Sequence, residues 1–208
     1  MATVLHPPEE RMLLPDVSWE TYEQLLANYE NCSGPRFIYD RGMLEIMSPS
    51  SEHEAINDII KALVNVLAEE MELDLRGFGS TTFRREDMAR GSEPDSCFYI
   101  QNVERITGVS KLDLNVHPPP DLVIEIDITS PSLQKFPLYA GIEVPEVWHY
   151  EGEVLRIFHL YNGGYVESAE SRALPHVKSV DLSRFVEESK TSRRPAWIRG
   201  VRDWARAL

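Results

Sequence analysis

The sequence predicts an α/β (α+β) fold in which a mixed β-sheet is flanked by helices, with added β-hairpins. Segments with apolar residues at helical spacing alternate with segments in which apolar and polar residues alternate, the pattern of strands. The 208 residues, 42% of them hydrophobic and 26% charged, suit one globular domain. We therefore expect a loose leader over residues 1–17 and a single domain over 18–208, with a helical segment at 181–207.

The elements follow in order from local signals. Ser18 is placed to cap a first helix that runs through Tyr29, and Asp40-Arg41-Gly42 joins two short strands as a hairpin. Ser51 and Glu54 form a capping-box pair that opens a long amphipathic helix. The remaining predicted elements are strands at 74–78, 81–85, 94–100, 121–128, 146–150, 154–161 and 165–168, and helices at 130–144, from 181 and at 196–207.

The strand at 121–128 carries the strongest functional signal. Its aliphatic residues alternate with residues that include three acids; the aliphatic set is Leu122, Ile124, Ile126 and Ile128, and the acids are Asp121, Glu125 and Asp127. Acids that crowd one face of a buried strand repel one another, and a divalent cation held by oxygen ligands relieves this repulsion. An antiparallel strand with one wet face would show the same alternation, so both interpretations stay open.

Two features close to this strand in the sequence favour the interpretation as a cation site. Pro94-Asp95 begins a second strand-like segment, and Lys135 follows the acidic strand after a short loop. A lone Pro-Asp pair would carry no information, whereas acids on two strands with a nearby lysine suit metal-assisted chemistry.

Charge and cysteine content limit the function classes. The net charge of −13 argues against a broad nucleic-acid-binding surface. The basic residues concentrated after Arg184 are expected to pair mainly with the acidic body of the protein rather than with phosphates. No apolar run approaches the roughly 20 residues of a membrane span, and we expect no secretory signal in the first residues. Two cysteines, Cys32 and Cys97, are too few for a disulfide framework or a zinc site, so we expect a cytoplasmic protein.

Several motifs together resemble the putative restriction endonuclease family of the PD-(D/E)XK nuclease superfamily. They are Gly91-Ser92-Glu93-Pro94-Asp95, the run DLVIEIDITSP from Asp121 to Pro131, Lys135 with Tyr139, and Val144-Pro145-Glu146-Val147-Trp148. The resemblance extends from about Trp19 to Tyr161. It implies a mixed four-stranded core sheet flanked by helices, with Mg²⁺ (or Mn²⁺) at one end of the sheet.

The resemblance also assigns roles to individual residues. Asp95 corresponds to the Pro-Asp aspartate and Glu125 to the second acid, and both would be metal ligands. The position of the usual lysine holds Asp127, a possible secondary ligand, and the lysine is displaced to Lys135 in the next helix. Lys135 would position the attacking water or offset charge on the phosphate.

Two further candidates, Glu45 and His53, fit the pattern less specifically. Glu45 in the hairpin is placed either to add a ligand or to lie on a wet strand face. His53 at the start of the long helix suits a base or a phosphate contact, although a lone histidine near a cap is commonly structural. Tyr139 and Trp148 are expected to be packing residues.

The sequence leaves three functions open. The leading hypothesis is a Mg²⁺-dependent endonuclease that hydrolyses phosphodiester bonds in DNA. A homodimer fits this hypothesis, because cutting both strands needs two sites. A non-catalytic nuclease-fold binding or interaction module is the main alternative. The scarcity of basic surface also suggests a metal hydrolase for a small phosphorylated substrate.

Overall fold

The structure is a computed structural model that describes residues 10–29, 35–79, 81–128 and 135–208. The helices of this part are Trp19–Tyr29 (α1), Ser51–Glu70 (α2), Phe136–Gly141 (α3), Ser179–Ser189 (α4) and Arg194–Ala205 (α5). The strands are Glu10–Leu14 (β1), Arg36–Asp40 (β2), Met43–Ser48 (β3), Arg76–Gly77 (β4), Phe83–Arg85 (β5), Arg90–Ser92 (β6), Ser96–Tyr99 (β7), Leu122–Asp127 (β8), Glu146–Glu151 (β9), Val154–Tyr161 (β10) and Gly164–Ser168 (β11). The mixed α+β class predicted from the sequence is confirmed.

The strands form two sheets. The first sheet has the order β1-β3-β2-β6-β5, with antiparallel neighbours. The second sheet has the order β11-β10-β9-β8-β7-β4, in which β8 and β9 are parallel and the other neighbours antiparallel. Within the described ranges, no helix combines the length and apolar character needed to span a bilayer.

Strand β8 lies inside the second sheet and is covered on both faces. Ile124 and Ile126 pack in the main core with residues of α2, α4 and α5. Val123 belongs to a second cluster that includes Leu138 and Tyr139 of α3. All six residues of β8 are buried. The interpretation of a strand with one wet face is therefore wrong, and the acids on β8 lie inside the protein.

Helix α1 and strand β6 approach closely at a glycine. The rings of Tyr22 and Tyr39 stack with centroids 5.0 Å apart, which anchors α1 on the first sheet. A Cβ at Gly91 would overlap the hydroxyl of Tyr22, so this position requires glycine. The close packing fixes β6 immediately before the segment that carries Asp95.

The predicted leader over 1–17 is wrong for its second half. Residues Glu10–Leu14 form β1, which pairs with β3 from Glu10 opposite Ser48 to Leu14 opposite Leu44. Its side chains are mostly exposed, as expected of an edge strand, so the sequence showed little apolar periodicity. The part of the leader before residue 10 lies outside the described residues.

Three helix boundaries also differ from the predictions. The N-cap of α2 is Ser50, whose side chain accepts from the backbone N of His53, so the capping pair begins one residue before Ser51. The described helix α3 begins at Phe136, with Lys135 at its N-cap and Pro137 in its first turn, while residues 129–134 lie outside the described part. Asp181 lies in the first turn of α4 rather than at its cap.

Candidate active site

Asp95 and Glu125 lie near each other along two neighbouring segments. Ser96 of β7 pairs with Ile124 of β8, so each acid is one residue from this pair. Asp95 is 2% exposed and Glu125 is 4% exposed. Two acids from distant parts of the chain are therefore buried beside a shared pair of strands.

Three groups hold Asp95. Its Oδ2 atom accepts from the backbone N of Ile126 at 2.7 Å, which fixes the carboxylate against β8. Its Oδ1 atom lies 2.7 Å from Nε2 of His53, a fully buried residue in the first turn of α2. The guanidinium of Arg36 on β2 contacts the same Oδ1 atom and lies 3.2 Å from Nε2 of His53. The first sheet thus supplies the cation that balances Asp95.

Glu125 is held by two side chains at the start of α3. Nζ of Lys135 donates to Oε2 of Glu125 at 2.5 Å. The hydroxyl of Tyr139 donates to Oε1 of the same carboxylate. Lys135 and Tyr139 are four residues apart and share one side of the helical turn, which the backbone bond from Tyr139 N to Lys135 O closes. Burial raises the pKa of Tyr139 well above its ordinary value, and the Glu125 charge raises it further, so its hydroxyl keeps its proton.

Arg11 joins Glu45 to Asp127 across the two sheets. Its Nη1 atom donates to Oε1 of Glu45 at 3.1 Å, and its Nη2 atom donates to Oδ1 of Asp127 at 3.1 Å. His149 on β9 lies 2.9 Å from the other oxygen of Asp127. Burial raises the pKa of Asp127, but the hydrogen bonds of His149 and Arg11 outweigh burial and lower it to about 2. Asp127 is consequently ionised at neutral pH.

We call Glu45, Asp95, Glu125 and Asp127 the carboxylate cluster. Their positive partners are Arg36 on Asp95, Lys135 on Glu125, and Arg11 on Glu45 and Asp127. Glu93 lies at the edge of the cluster: burial raises its pKa, while Thr82, Arg36 and Lys135 lower it. Even with these cations, acids are in excess. Buried carboxylates of this density need positive charge, and the protein's own cations supply part of it.

The donor set of the cluster fits a hard divalent cation. Among the residues that the structure describes, no three His, Cys, Asp or Glu side chains form a ready-made metal cage. Mg²⁺ does not require such a cage, since it is commonly bound through one or two carboxylates together with waters and substrate phosphates. Asp95 and Glu125 are the carboxylates suited to this type of site.

The structure brings together the residues singled out from the sequence, in two subgroups. Asp95, His53, Glu125 and Lys135 lie around the junction of β7, β8, α2 and α3. Glu45 and Asp127 are joined through Arg11. Asp127 does not make its main contacts with Lys135, although that lysine is near enough to lower its pKa.

Four partners of the cluster were missed by the sequence reasoning. Arg36 was recoverable, because the hairpin register pairs Ile38 with Glu45 and so places Arg36 and Glu45 on the same face. Tyr139 was expected to be a packing residue, whereas its hydroxyl also donates to Glu125. Arg11 and His149 reach Asp127 through strand pairings between distant segments, for which the sequence carries no local signal.

Comparisons with known proteins give the family of the chain and a related fold. No curated protein matches the chain. A solved structure described as a putative nuclease belonging to DUF820, from Anabaena variabilis ATCC 29413, matches with a TM-score of 0.50 and 16% sequence identity, over 77% of this chain and 98% of that chain. At this identity the match shows a shared fold. The family model Uma2, described as putative restriction endonuclease, matches residues 19–191. The chain therefore belongs to the Uma2 putative restriction endonuclease family.

Proposed function

We propose that the protein is a metal-dependent endonuclease that hydrolyses phosphodiester bonds in DNA. The observation that supports this proposal is the burial of Asp95 and Glu125 beside the paired residues of β7 and β8, with the ammonium of Lys135 on Glu125. The family description supports the nuclease class. The divalent metal and the DNA substrate are the parts that the proposal adds.

Asp95 and Glu125 are the residues that would hold the cation. A bound Mg²⁺ or Mn²⁺ supplies Lewis-acid chemistry: it makes water more acidic and neutralises charge that builds on the phosphate oxygens. Asp127 and Glu45 add negative charge beside this pair and are proposed as secondary contributors.

Lys135 provides the positive charge beside Glu125. Its ammonium ends a flexible stem at the N-cap of α3, and its partner in the structure is a carboxylate rather than a fixed backbone group. With a substrate bound, the ammonium would offset the charge of the phosphate in a site shielded from water. This displaced lysine thus performs the role that the family pattern usually gives to a lysine on the strand.

His53 is better suited to positioning than to proton transfer. Its Nε2 atom faces Oδ1 of Asp95 and its ring is fully buried. Its backbone N is fixed by Ser50 at the start of α2. We therefore propose that His53, together with Arg36, orients Asp95. This role replaces the base role considered from the sequence.

The surface charges favour local rather than broad contact with DNA. Several C-terminal cations pair with acids of the same protein, as expected: Arg202 with Glu69, Arg206 with Glu70, and Lys190 with Glu187. If DNA contacts the protein only near the cluster, its binding affinity should fall less steeply with salt than that of a protein with a basic groove. The fall should still be steeper than for a small phosphate ester. The homodimer and the cytoplasmic location stay predictions.

The test is cleavage of plasmid DNA in Mg²⁺ or Mn²⁺ by the wild type and by Asp95→Asn and Glu125→Gln. Each substitution removes a charged ligand with little change of shape, so we expect cleavage to fall by about 100-fold or more. Glu70→Gln is the matched control, because Glu70 ends α2 about 25 Å from His53 at 1.5 Å per residue. Cleavage that survives in both cluster variants would refute the assignment.

The balancing of part of the cluster's negative charge by the protein's own cations also favours a second function, a non-catalytic binding module. Arg36, Lys135 and Arg11 already balance much of the negative charge in the structure. If these pairs never open, the acids serve to join the two sheets. DNA binding without turnover in either metal, unchanged in Asp95→Asn, would support this function over the nuclease.

A further inference from the structure

We propose that Tyr139 is a positioning residue of the cation site, which holds Glu125 in place through its hydroxyl. This inference rests on the proposed function, since it assigns Tyr139 a part in binding the divalent cation. Tyr139 is fully buried, and its hydroxyl donates to Oε1 of Glu125.

The two side chains that donate to Glu125 differ in flexibility. Lys135 is a flexible side chain at the end of a helix, and its bond to Oε2 must be exchangeable if the ammonium is to act on a phosphate. Tyr139 has a rigid ring enclosed by the cluster of α3, where Phe83 meets it edge-on with centroids 6.4 Å apart. Tyr139 is thus the donor able to keep Glu125 oriented while Lys135 leaves.

Metal sites in other proteins commonly contain a residue in the role that we give to Tyr139. A carboxylate that binds a metal is commonly held by a hydrogen bond from an outer residue, and loss of that residue typically costs 10–100-fold in metal affinity or activity. Because Tyr139 contacts Glu125 and not the reacting atoms, its loss should weaken cation uptake while the rate at saturating cation stays close to that of the wild type.

Tyr165 offers a matched control. It packs against the same α3 cluster, but its hydroxyl donates to the backbone O of Val144 at 2.7 Å. Tyr165→Phe therefore removes one hydrogen-bonded hydroxyl from the same region without touching Glu125. Any effect of general packing should appear in both variants.

The experiment measures Mn²⁺ binding to the full chain by electron paramagnetic resonance of the free ion. We expect Tyr139→Phe to bind Mn²⁺ about tenfold more weakly than the wild type, and Tyr165→Phe to bind as the wild type does. In cleavage assays, Tyr139→Phe should need about tenfold more metal for half-maximal rate, with kcat preserved. Tyr139→Met, which keeps an apolar side chain of adaptable shape, serves if the phenylalanine variant does not fold.

The outcomes separate this inference from the proposed function. Equal Mn²⁺ affinity in the wild type and Tyr139→Phe overturns the inference alone, as does equal weakening in Tyr139→Phe and Tyr165→Phe. A fall in kcat with unchanged metal dependence also overturns it. A wild type that takes up no Mn²⁺ overturns both the inference and the metal site.

Discussion

Glu125 and Glu146 are buried acids on adjacent strands, yet their surroundings differ in kind. Glu146, 1% exposed, accepts from Nε1 of Trp148 and Oγ of Ser171 at 2.6 Å, and from the backbone N atoms of Arg172 and Ala173 at 2.6 and 3.2 Å. These donors are uncharged. Glu125 instead receives one ammonium and one phenol, both from α3.

The difference in donors distinguishes an acid with a structural role, Glu146, from an acid suited to binding a cation, Glu125. Backbone N–H groups and an indole cannot leave Glu146 without unfolding the segment that carries them, so this carboxylate ties residues 171–173 to β9. His159 lies 3.3 Å from Glu146, and burial lowers its pKa, which keeps the ring neutral near pH 7. The ammonium on Glu125, in contrast, is replaceable by another cation. Asp121, which caps the backbone N atoms of Ile100 and Asn102, belongs with Glu146.

The largest effect is expected for Glu146→Ala, which leaves several buried donors without an acceptor. Each unsatisfied buried group costs about 1–3 kcal/mol, so we expect a loss of about 4 kcal/mol in the free energy of unfolding. Urea denaturation followed by circular dichroism measures this loss. The folded fraction should keep its nuclease activity, because Glu146 contacts none of the cluster residues in the described contacts.

Glu151→Ala is the control for this prediction. Glu151 lies on the same strand but is partly exposed, with a surface pair to Arg156 at 3.2 Å. Loss of an exposed pair should change stability by about 0.5 kcal/mol or less. A Glu146→Ala protein that is as stable as Glu151→Ala would contradict the structural role given to Glu146.

The sequence predicts the acids of both types but does not distinguish them. Alternation on β8 and the Pro-Asp step located Glu125 and Asp95, and helical spacing located α1 and α2 within a few residues. The donors that decide each role arrive from distant segments: residues 171–173 for Glu146, β2 for Asp95 and β1 for Asp127. Such long-range pairings depend on sheet register, which local periodicity does not encode. The edge strand β1 was missed because exposed side chains leave no apolar pattern.

A smaller effect is expected in the acid range for Asp127. Its pKa is lowered to about 2 from an ordinary value of 3.8, so its stabilising contribution is present above about pH 4 and lost as pH falls towards 2. A shift of this size corresponds to about 2 kcal/mol. Between pH 5 and pH 2, wild-type stability should fall by about 2 kcal/mol more than that of Asp127→Asn. Parallel pH profiles for the two proteins, measured by urea denaturation, would exclude this linkage.

The smallest effect on stability is expected for Glu125→Gln, although the variant should lose cleavage. Removal of one partner of a buried ion pair usually costs about 3–5 kcal/mol, because the other charge is left alone. Lys135 is not left alone, since Glu93 and Asp127 both lie within its electrostatic reach. Glutamine also keeps an oxygen that accepts from Tyr139, and the loss of one negative charge relieves repulsion within the carboxylate cluster.

We therefore expect Glu125→Gln to change the free energy of unfolding by about 1 kcal/mol or less, measured by the same urea titration without added metal. The same titration is then repeated at increasing Mn²⁺ concentration. Mn²⁺ should raise the free energy of unfolding of the wild type by mass action but leave that of Glu125→Gln unchanged. A cost near that of Glu146→Ala would mean that Lys135 is permanently bound to Glu125. In that case both acids are structural, and the lysine is not free to act on a phosphate.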